Sequence, residues 1–176
     1  MLRENLKQPY PVVSINLQTA DLEVLKTLNH HQDLMQQERQ PSEPLRPFEA
    51  RLAGWRSESV YSEVRCWAVF AEDQKTILGN AWIEAALSED NRHLVDYNIL
   101  VLPDYRLHGI GRSLLAAVAD YAQAQQRTTL IAGTSSIVPA GERFMERIGA
   151  AKGLETNINQ LDLAELDQAR IEEWLT

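Results

Sequence analysis

The fold of this chain is decided by residues 94–115, which read LVDYNILVLPDYRLHGIGRSLL. The stretch begins as a run of apolar and aromatic residues typical of a buried strand, and Pro103 ends that run. A turn with two glycines, Gly109 and Gly111, comes next, and apolar residues then return at helical spacing. The stretch therefore predicts a strand, a loop and a helix in direct succession.

The predicted loop has the features of an anion-binding site. Gly109 and Gly111 carry no Cβ, so a ligand can approach the backbone closely. The N–H groups of the first helical turn lack intrahelical acceptors and lie at the positive end of the helix dipole. Arg112 adds a fixed positive charge. A pyrophosphate fits this combination of donors and charge.

Two common phosphate loops match the spacing poorly. A Walker loop has a lysine directly before its Ser or Thr, but this chain has Arg112 before Ser113. A dinucleotide-binding fingerprint needs a third glycine where this chain has Leu114. Neither interpretation is favoured.

A third pattern matches well. From Val101 onward the chain has an apolar strand end, Pro103, Arg106, the glycine pair and a double leucine at residues 114–115. This order resembles the acyl-CoA motif of the GNAT superfamily of N-acetyltransferases, in which an apolar strand is followed by Arg/Gln-x-x-Gly-x-Gly/Ala. The resemblance implies an α/β (α+β) GNAT fold, whose mixed, mostly antiparallel central sheet is splayed at the acyl-CoA slot and flanked by helices.

The resemblance also implies acetyl-CoA as co-substrate. It places the pantetheine arm against the backbone of Ile99, Leu100 and Val101, in the manner of an added strand. It places the pyrophosphate against the loop and the first helical turn. The residues expected there are Arg106, Leu107, His108, Gly109, Ile110, Gly111, Arg112 and Ser113.

The rest of the chain has the element order of this fold. Strand patterns occupy residues 12–17, 64–70, 76–84, 93–101, 128–133 and 157–163. Helix patterns occupy residues 22–37, 47–54, 110–122 and 164–176, and residues 134–150 resemble the helix that closes the CoA site in GNAT enzymes. We expect one GNAT-like domain over residues 1–163 and a C-terminal helix over residues 164–176.

The C-terminal helix is extra to the minimal fold. It is similar to the ending of the N-terminal half of tandem-GNAT proteins, where a helix leads to a second domain. An equally open interpretation is that it covers a sheet edge. A homodimer or a second GNAT domain is therefore the expected protein partner.

The composition indicates the class of protein, its cellular compartment and the partners it disfavours. The 176 residues are 44% hydrophobic and 24% charged, which is ordinary for a globular domain. The polar N-terminus, the lack of a membrane-length apolar run and the single cysteine, Cys66, favour a cytoplasmic protein. We expect Cys66 to be a core residue. The net charge of −8 disfavours nucleic acid as a partner.

Candidates for a general base are few. An amine nucleophile must lose a proton, and a carboxylate in a partly apolar cleft is the usual acceptor. Asp96 on the central strand and Glu84 on the preceding strand are the nearest, although each is also explained as a solvated strand residue or a substrate anchor. His30 and His31 are adjacent, so they point to different faces of a helix, and we expect solvated histidines and no metal site.

Other segments leave the function open. The aromatic residues Phe48, Trp55 and Tyr61 are candidates for the acceptor wall, although Phe48 and Trp55 at helical spacing are more often core residues. In the helix that closes the site, Met145 stands where the family often has a tyrosine that protonates the leaving thiolate, and methionine has no acidic proton. Val138 replaces a common asparagine.

Three functions remain compatible with the sequence. The first is transfer of an acetyl group from acetyl-CoA to a primary amine of a small molecule or peptide, by direct attack in a ternary complex. The second is a catalytically degenerate acyl-CoA-binding or structural domain that supports a partner domain. The third is a regulatory module that binds a phosphoanion without using CoA.

The glycine loop can be tested by substitution. Gly109→Val places a β-branched side chain where a ligand would approach the backbone, so we expect CoA binding to be lost while circular dichroism shows an unchanged fold. Isothermal titration with CoA measures the loss. An unchanged affinity would show that the loop is not the binding site.

Overall fold

The computed structural model describes residues 10–57, 59–157 and 167–175. The chain divides into two compact units, one ending at Glu142 and the other beginning at Arg143. The expected single domain over residues 1–163 remains a prediction.

The first unit contains a five-stranded mixed sheet. Its strands are β1 (Val13–Ile15), β2 (Ser62–Phe70), β3 (Ile77–Ala86), β4 (Leu94–Val101) and β5 (Thr129–Ile131), and they lie side by side in that order. The pairs from β1 to β4 are antiparallel, and only β4 with β5 is parallel. The predicted mixed, mostly antiparallel sheet is therefore confirmed, with β1 and β5 shorter than expected.

Helices cover the two faces of this sheet. The helices α1 (Leu22–Arg39) and α2 (Phe48–Arg56) precede β2, and α3 (Ile110–Ala124) connects β4 to β5. α3 packs against β2, β3 and β4, whereas α1 packs against α2, β3 and β4. Two apolar layers therefore enclose the sheet. Burial of each leucine in these layers stabilises the folded state by roughly 1.5–3 kcal/mol relative to leaving it exposed.

The layer under α1 and α2 explains several sequence features. Leu25 and Leu28 of α1 are fully buried at helical spacing and pack in one cluster with Trp55, Cys66 and Ala68. Phe48 is partly buried against the same cluster, whereas Tyr61 is exposed. Trp55 is thus a core residue and not part of an open wall.

Cys66 lies inside this layer on β2. Its side chain is 1% exposed, and burial raises the pKa of the thiol to about 12. The prediction that Cys66 is a core residue is confirmed.

An ion pair joins α1 to α2. Arg51, which is buried, donates to Asp33 at 2.7 Å and to the side-chain oxygen of Asn29 at 2.6 Å. Because both partners lie on α1, the pair fixes α2 along that helix.

His31 of α1 departs from expectation. Its side chain is only 2% exposed, and Nδ1 donates a hydrogen bond to the Ile77 carbonyl at 3.0 Å. The prediction of a solvated histidine is therefore wrong at this position, although it holds for the exposed His30. The reason is helical geometry, since His31 follows Leu28 by three residues on the core-facing side.

The second unit begins within a helix. The helix α4 (Pro139–Ile148) begins in the first unit and ends in the second, where Gly149 has a left-handed φ of 75°. The N–H of Ala150 donates to the Met145 carbonyl at 3.0 Å and closes the helix end. The helix α5 (Gln168–Leu175) lies within the predicted C-terminal helix, residues 164–176. Residues 164–166 and 176 of that helix, and residues 158–163 of the predicted last strand, lie outside the described residues.

Within the described ranges, no helix combines the length and the apolar character needed to cross a bilayer.

The buried histidine predicts a pH dependence of stability. Burial lowers the pKa of His31 from 6.5 to about 4, so between these values the unfolded chain binds a proton that the folded chain does not. Stability should therefore fall as pH drops from about 7 to 5, by about 2 kcal/mol from this residue alone.

Urea unfolding of the wild type and of His31→Gln at both pH values measures the effect. The variant is expected to lose less stability on acidification, because it lacks the titrating ring. Equal losses in the two proteins would show that His31 does not carry the dependence.

Candidate functional site

Among the described strands, none pairs with one edge of β4 over half its length. Pairing between β4 and β5 covers three register pairs and ends at Asp96 with Ile131. On its other edge, β4 continues to pair with β3 as far as Val101 with Gly79. Beyond Asp96, the backbone toward β5 has no partner among the described strands, and Ile99, Leu100 and Val101 are half-exposed. An extended ligand can bind to such an edge.

The loop that follows β4, residues 102–109, bends through two left-handed residues. A short 3-10 helix (Pro103–Tyr105) leads to Arg106, after which Leu107 has φ 65° and Gly109 has φ 95°. The Leu107 side chain is 86% exposed. Its left-handed backbone conformation is about 1–3 kcal/mol less favourable than an ordinary one. The bend turns the chain directly into α3 at Ile110.

The bend leaves a set of free backbone donors. In the described part of the chain, no backbone carbonyl accepts from the N–H groups of residues 107–112. The first helical turn adds the positive end of the α3 dipole. The side chains of His108 and Arg112 are exposed, so Arg112 supplies the positive charge beside these donors. The loop is therefore suited to a phosphate group.

The start of α3 is seated directly on the sheet. A Cβ added at Gly79 of β3 would lie 2.9 Å from Cγ2 of Ile110, closer than real contacts allow. Ile110 is 1% exposed, so its side chain holds the helix start and only its backbone faces the loop. Gly79 therefore permits the close approach that places the free donors at the end of β4.

Ser113 is not brought into this set. Its N–H donates to the Gly109 carbonyl at 3.0 Å, and its hydroxyl is fully buried without a partner among the described residues. The N–H of Ser113 is thus already hydrogen-bonded and its hydroxyl is buried, so neither group is available to a phosphate.

Arg106 is held by protein groups. Its Nε donates to the Val101 carbonyl at 3.1 Å, and its guanidinium forms an ion pair with Glu38 at the end of α1. The guanidinium is therefore already paired, whereas that of Arg112 has no partner among the described residues.

The two candidate carboxylates lie side by side. Glu84 on β3 and Asp96 on β4 are register partners, and both side chains are exposed. Partners of this kind have Cβ atoms about 4.5–5.5 Å apart. Asp96 is also the last β4 residue paired with β5, so its carboxylate lies where the two strands part.

The surrounding surface is partly aromatic. Trp82 precedes Glu84 by two residues on the same face of β3, is 36% exposed and has Asn98 as its register partner. Further along that face Asn80 is buried, and the His31 ring lies close to it. The face is therefore covered by α1 at one end and open at the carboxylate end.

Two residues of this region escaped sequence reasoning. Gly79 carried a usable signal, because a glycine inside a strand pattern often marks a close backbone approach. Glu38 carried none, since its partner Arg106 is 68 residues away in the chain. Among the residues the structure describes, no group of histidine, cysteine or carboxylate side chains is arranged to hold a metal ion.

Comparison with known proteins agrees with this architecture. The family model described as acetyltransferase (GNAT) family matches residues 26–150. No curated protein matches the chain significantly.

Solved structures share the fold at low sequence identity. One is the aminoglycoside acetyltransferase AAC(6')-Iy in complex with the bisubstrate analogue CoA-S-monomethyl-acetylneamine, with 16% identity, a TM-score of 0.58 and coverage of 86% of this chain and 97% of that one. Another is a ribosomal-protein-alanine N-acetyltransferase from Brucella melitensis, with 15% identity, a TM-score of 0.59 and coverage of 86% and 99%.

A third similar structure is an aminoglycoside acetyltransferase from an uncultured soil metagenomic sample in complex with sisomicin. It has 10% identity, a TM-score of 0.65 and coverage of 86% of this chain and 96% of that one. These likenesses support the predicted fold. Because the family model spans most of the sequence, the chain belongs to the GNAT family of acetyltransferases.

Proposed function

We propose that this protein is an N-acetyltransferase that transfers an acetyl group from acetyl-CoA to a primary amine by direct attack in a ternary complex. The observation that carries the proposal is the position of Asp96, where β4 and β5 part. From Asp96, the unpaired edge of β4 leads directly to the loop with its free donors. A proton acceptor, a strand edge and an anion site thus lie along one strand.

The backbone holds the co-substrate in this proposal. The N–H groups of residues 107–112 bind the pyrophosphate, with Arg112 adding charge. The edge formed by Ile99, Leu100 and Val101 bonds the pantetheine arm. Acetyl-CoA supplies an acetyl group activated as a thioester.

Asp96 acts as general base. As the new C–N bond forms and the C–S bond breaks, the amine proton passes to the Asp96 carboxylate, directly or through one water. A β4 N–H donates to the thioester oxygen, which gains negative charge during attack. Glu84, its register partner, binds the positively charged form of the amine before the proton is removed.

A small-molecule amine is the proposed acceptor. The carboxylate pair attracts a cation, and the exposed face of Trp82 beside it adds a cation–π contact. The metagenomic relative was solved with sisomicin, and AAC(6')-Iy with an analogue that contains acetylneamine. We expect a cytoplasmic setting, in which acetyl-CoA is available.

A second candidate rests on Met145. This residue cannot donate a proton to the leaving thiolate, which favours a domain that binds acyl-CoA without transferring the acetyl group. In this case CoA would bind, but no amine would be acetylated.

Isothermal titration with acetyl-CoA, CoA and ADP tests the site common to both candidates. We expect saturable binding of CoA and weaker binding of ADP, because ADP lacks the arm that bonds the β4 edge. A folded sample that binds none of the three would contradict an acyl-CoA site.

Substitution of Asp96 separates the two candidates. With an amine found by screening for CoA release, Asp96→Asn should lower kcat/KM by about 10²–10⁴-fold, as expected for loss of a general base, and leave CoA affinity unchanged. Glu84→Gln should mainly raise the KM of the amine. Glu72→Gln, which alters an exposed carboxylate in the β2–β3 turn, is the matched control. Full activity of Asp96→Asn would reject the proposed base.

A further inference from the structure

A two-point ion pair connects the end of α1 to the loop after β4. Nη1 of Arg106 donates to Oε1 of Glu38 at 2.7 Å, and Nη2 donates to Oε2 at 2.5 Å. Their side chains are only 24% and 28% exposed. Parallel bonds of this kind hold the guanidinium plane in one orientation.

The same guanidinium holds the end of β4. Nε of Arg106 donates to the carbonyl of Val101, the last residue of the strand. Arg106 thus ties three segments together: the end of α1, the end of β4 and the loop. If Glu38 were absent, the half-buried guanidinium of Arg106 would have to turn toward solvent to be hydrated. That movement would break its hydrogen bond to the Val101 carbonyl.

The anchored residue directly precedes the strained one. Leu107 follows Arg106 and has φ 65°, an unfavourable backbone for a residue with a side chain. Such a conformation persists only where neighbouring contacts impose it. The exposed Leu107 side chain supplies no such packing, and Gly109 permits the bend without fixing it. The contacts of Arg106 on one side and of the buried Ile110 on the other therefore impose the bend.

We propose that Glu38 is a positioning residue for the phosphate-binding loop. Glu38 touches no ligand. It fixes Arg106, and through Arg106 the backbone direction of residues 107–112. The inference rests on the proposed function for its ligand. It differs from the alternative in which Glu38 merely occupies Arg106 until a phosphate displaces it.

The sign of one affinity change separates these alternatives. Glu38→Gln keeps the shape of the side chain but removes its charge. Positioning predicts that CoA binds about tenfold more weakly, because the donors of the loop are no longer held together. Displacement predicts tighter binding, because Arg106 becomes free to meet the phosphates. Tighter or unchanged binding would overturn the proposal.

Asp33→Asn is the matched control. Asp33 lies on the same helix and pairs with Arg51 at 2.7 Å, with side chains that are more buried than those of the Glu38 pair. The substitution should destabilise α1 at least as much, yet leave CoA affinity at the wild-type value. An equal loss of CoA affinity in Glu38→Gln and Asp33→Asn would show that Glu38 only stabilises α1 in general, and would overturn the proposal.

A second measurement needs no ligand. The chain has eight glycines, so the backbone amide signals of Gly109 and Gly111 can be followed in an NMR spectrum of the free protein. Both signals should shift in Glu38→Gln and stay in place in Asp33→Asn. Unmoved signals would overturn the positioning role. If the wild type failed to bind CoA while these signals shifted, the proposed function would fail and the positioning role would stand.

Discussion

β4 is hydrogen-bonded to β3 along one edge from Asp96 to Val101, whereas β5 accompanies it on the other edge only as far as Asp96. Backbone polar groups need partners, and in this half the Val101 carbonyl already accepts from Arg106. The groups that meet no partner among the described residues are open to water or a ligand. The continuous ladder with β3 keeps this half straight and in register. Everything described for the site depends on this one-sided pairing, because it sets where the loop, the α3 terminus and Asp96 lie relative to one strand.

The features that could be predicted from the sequence are those written in local patterns. Alternation, turn residues and the glycine pair identified the strands, the loop and the start of α3 within a few residues. The features that could not be predicted depend on distant partners. His31 is hydrogen-bonded to the carbonyl of Ile77, 46 positions away, and Arg106 is paired with Glu38 across 68 positions. No periodicity in a single sequence encodes such pairings.

Ser113 illustrates the same limit inside the motif itself. The family resemblance placed Ser113 against the pyrophosphate together with Arg112, but one further residue along a helix turns the side chain by about 100°. The sheet below α3 then covers it completely. Spacing in a motif therefore locates a backbone path more reliably than it locates the side chains along that path.

The same distinction explains how a chain of net charge −8 can offer an anion site, since the donors are main-chain groups whose direction does not depend on overall charge.

The burial of Cys66 has a practical consequence. It is the single cysteine of the chain, it is enclosed between β2 and the α1–α2 layer, and its thiol stays protonated at any pH at which the protein is handled. Thiol reagents require an accessible thiolate, so the folded protein should not react with them. Any free thiol that appears in a mixture of this protein, acetyl-CoA and an amine would then come from CoA, and a simple colour reaction would count turnovers without correction for the protein itself.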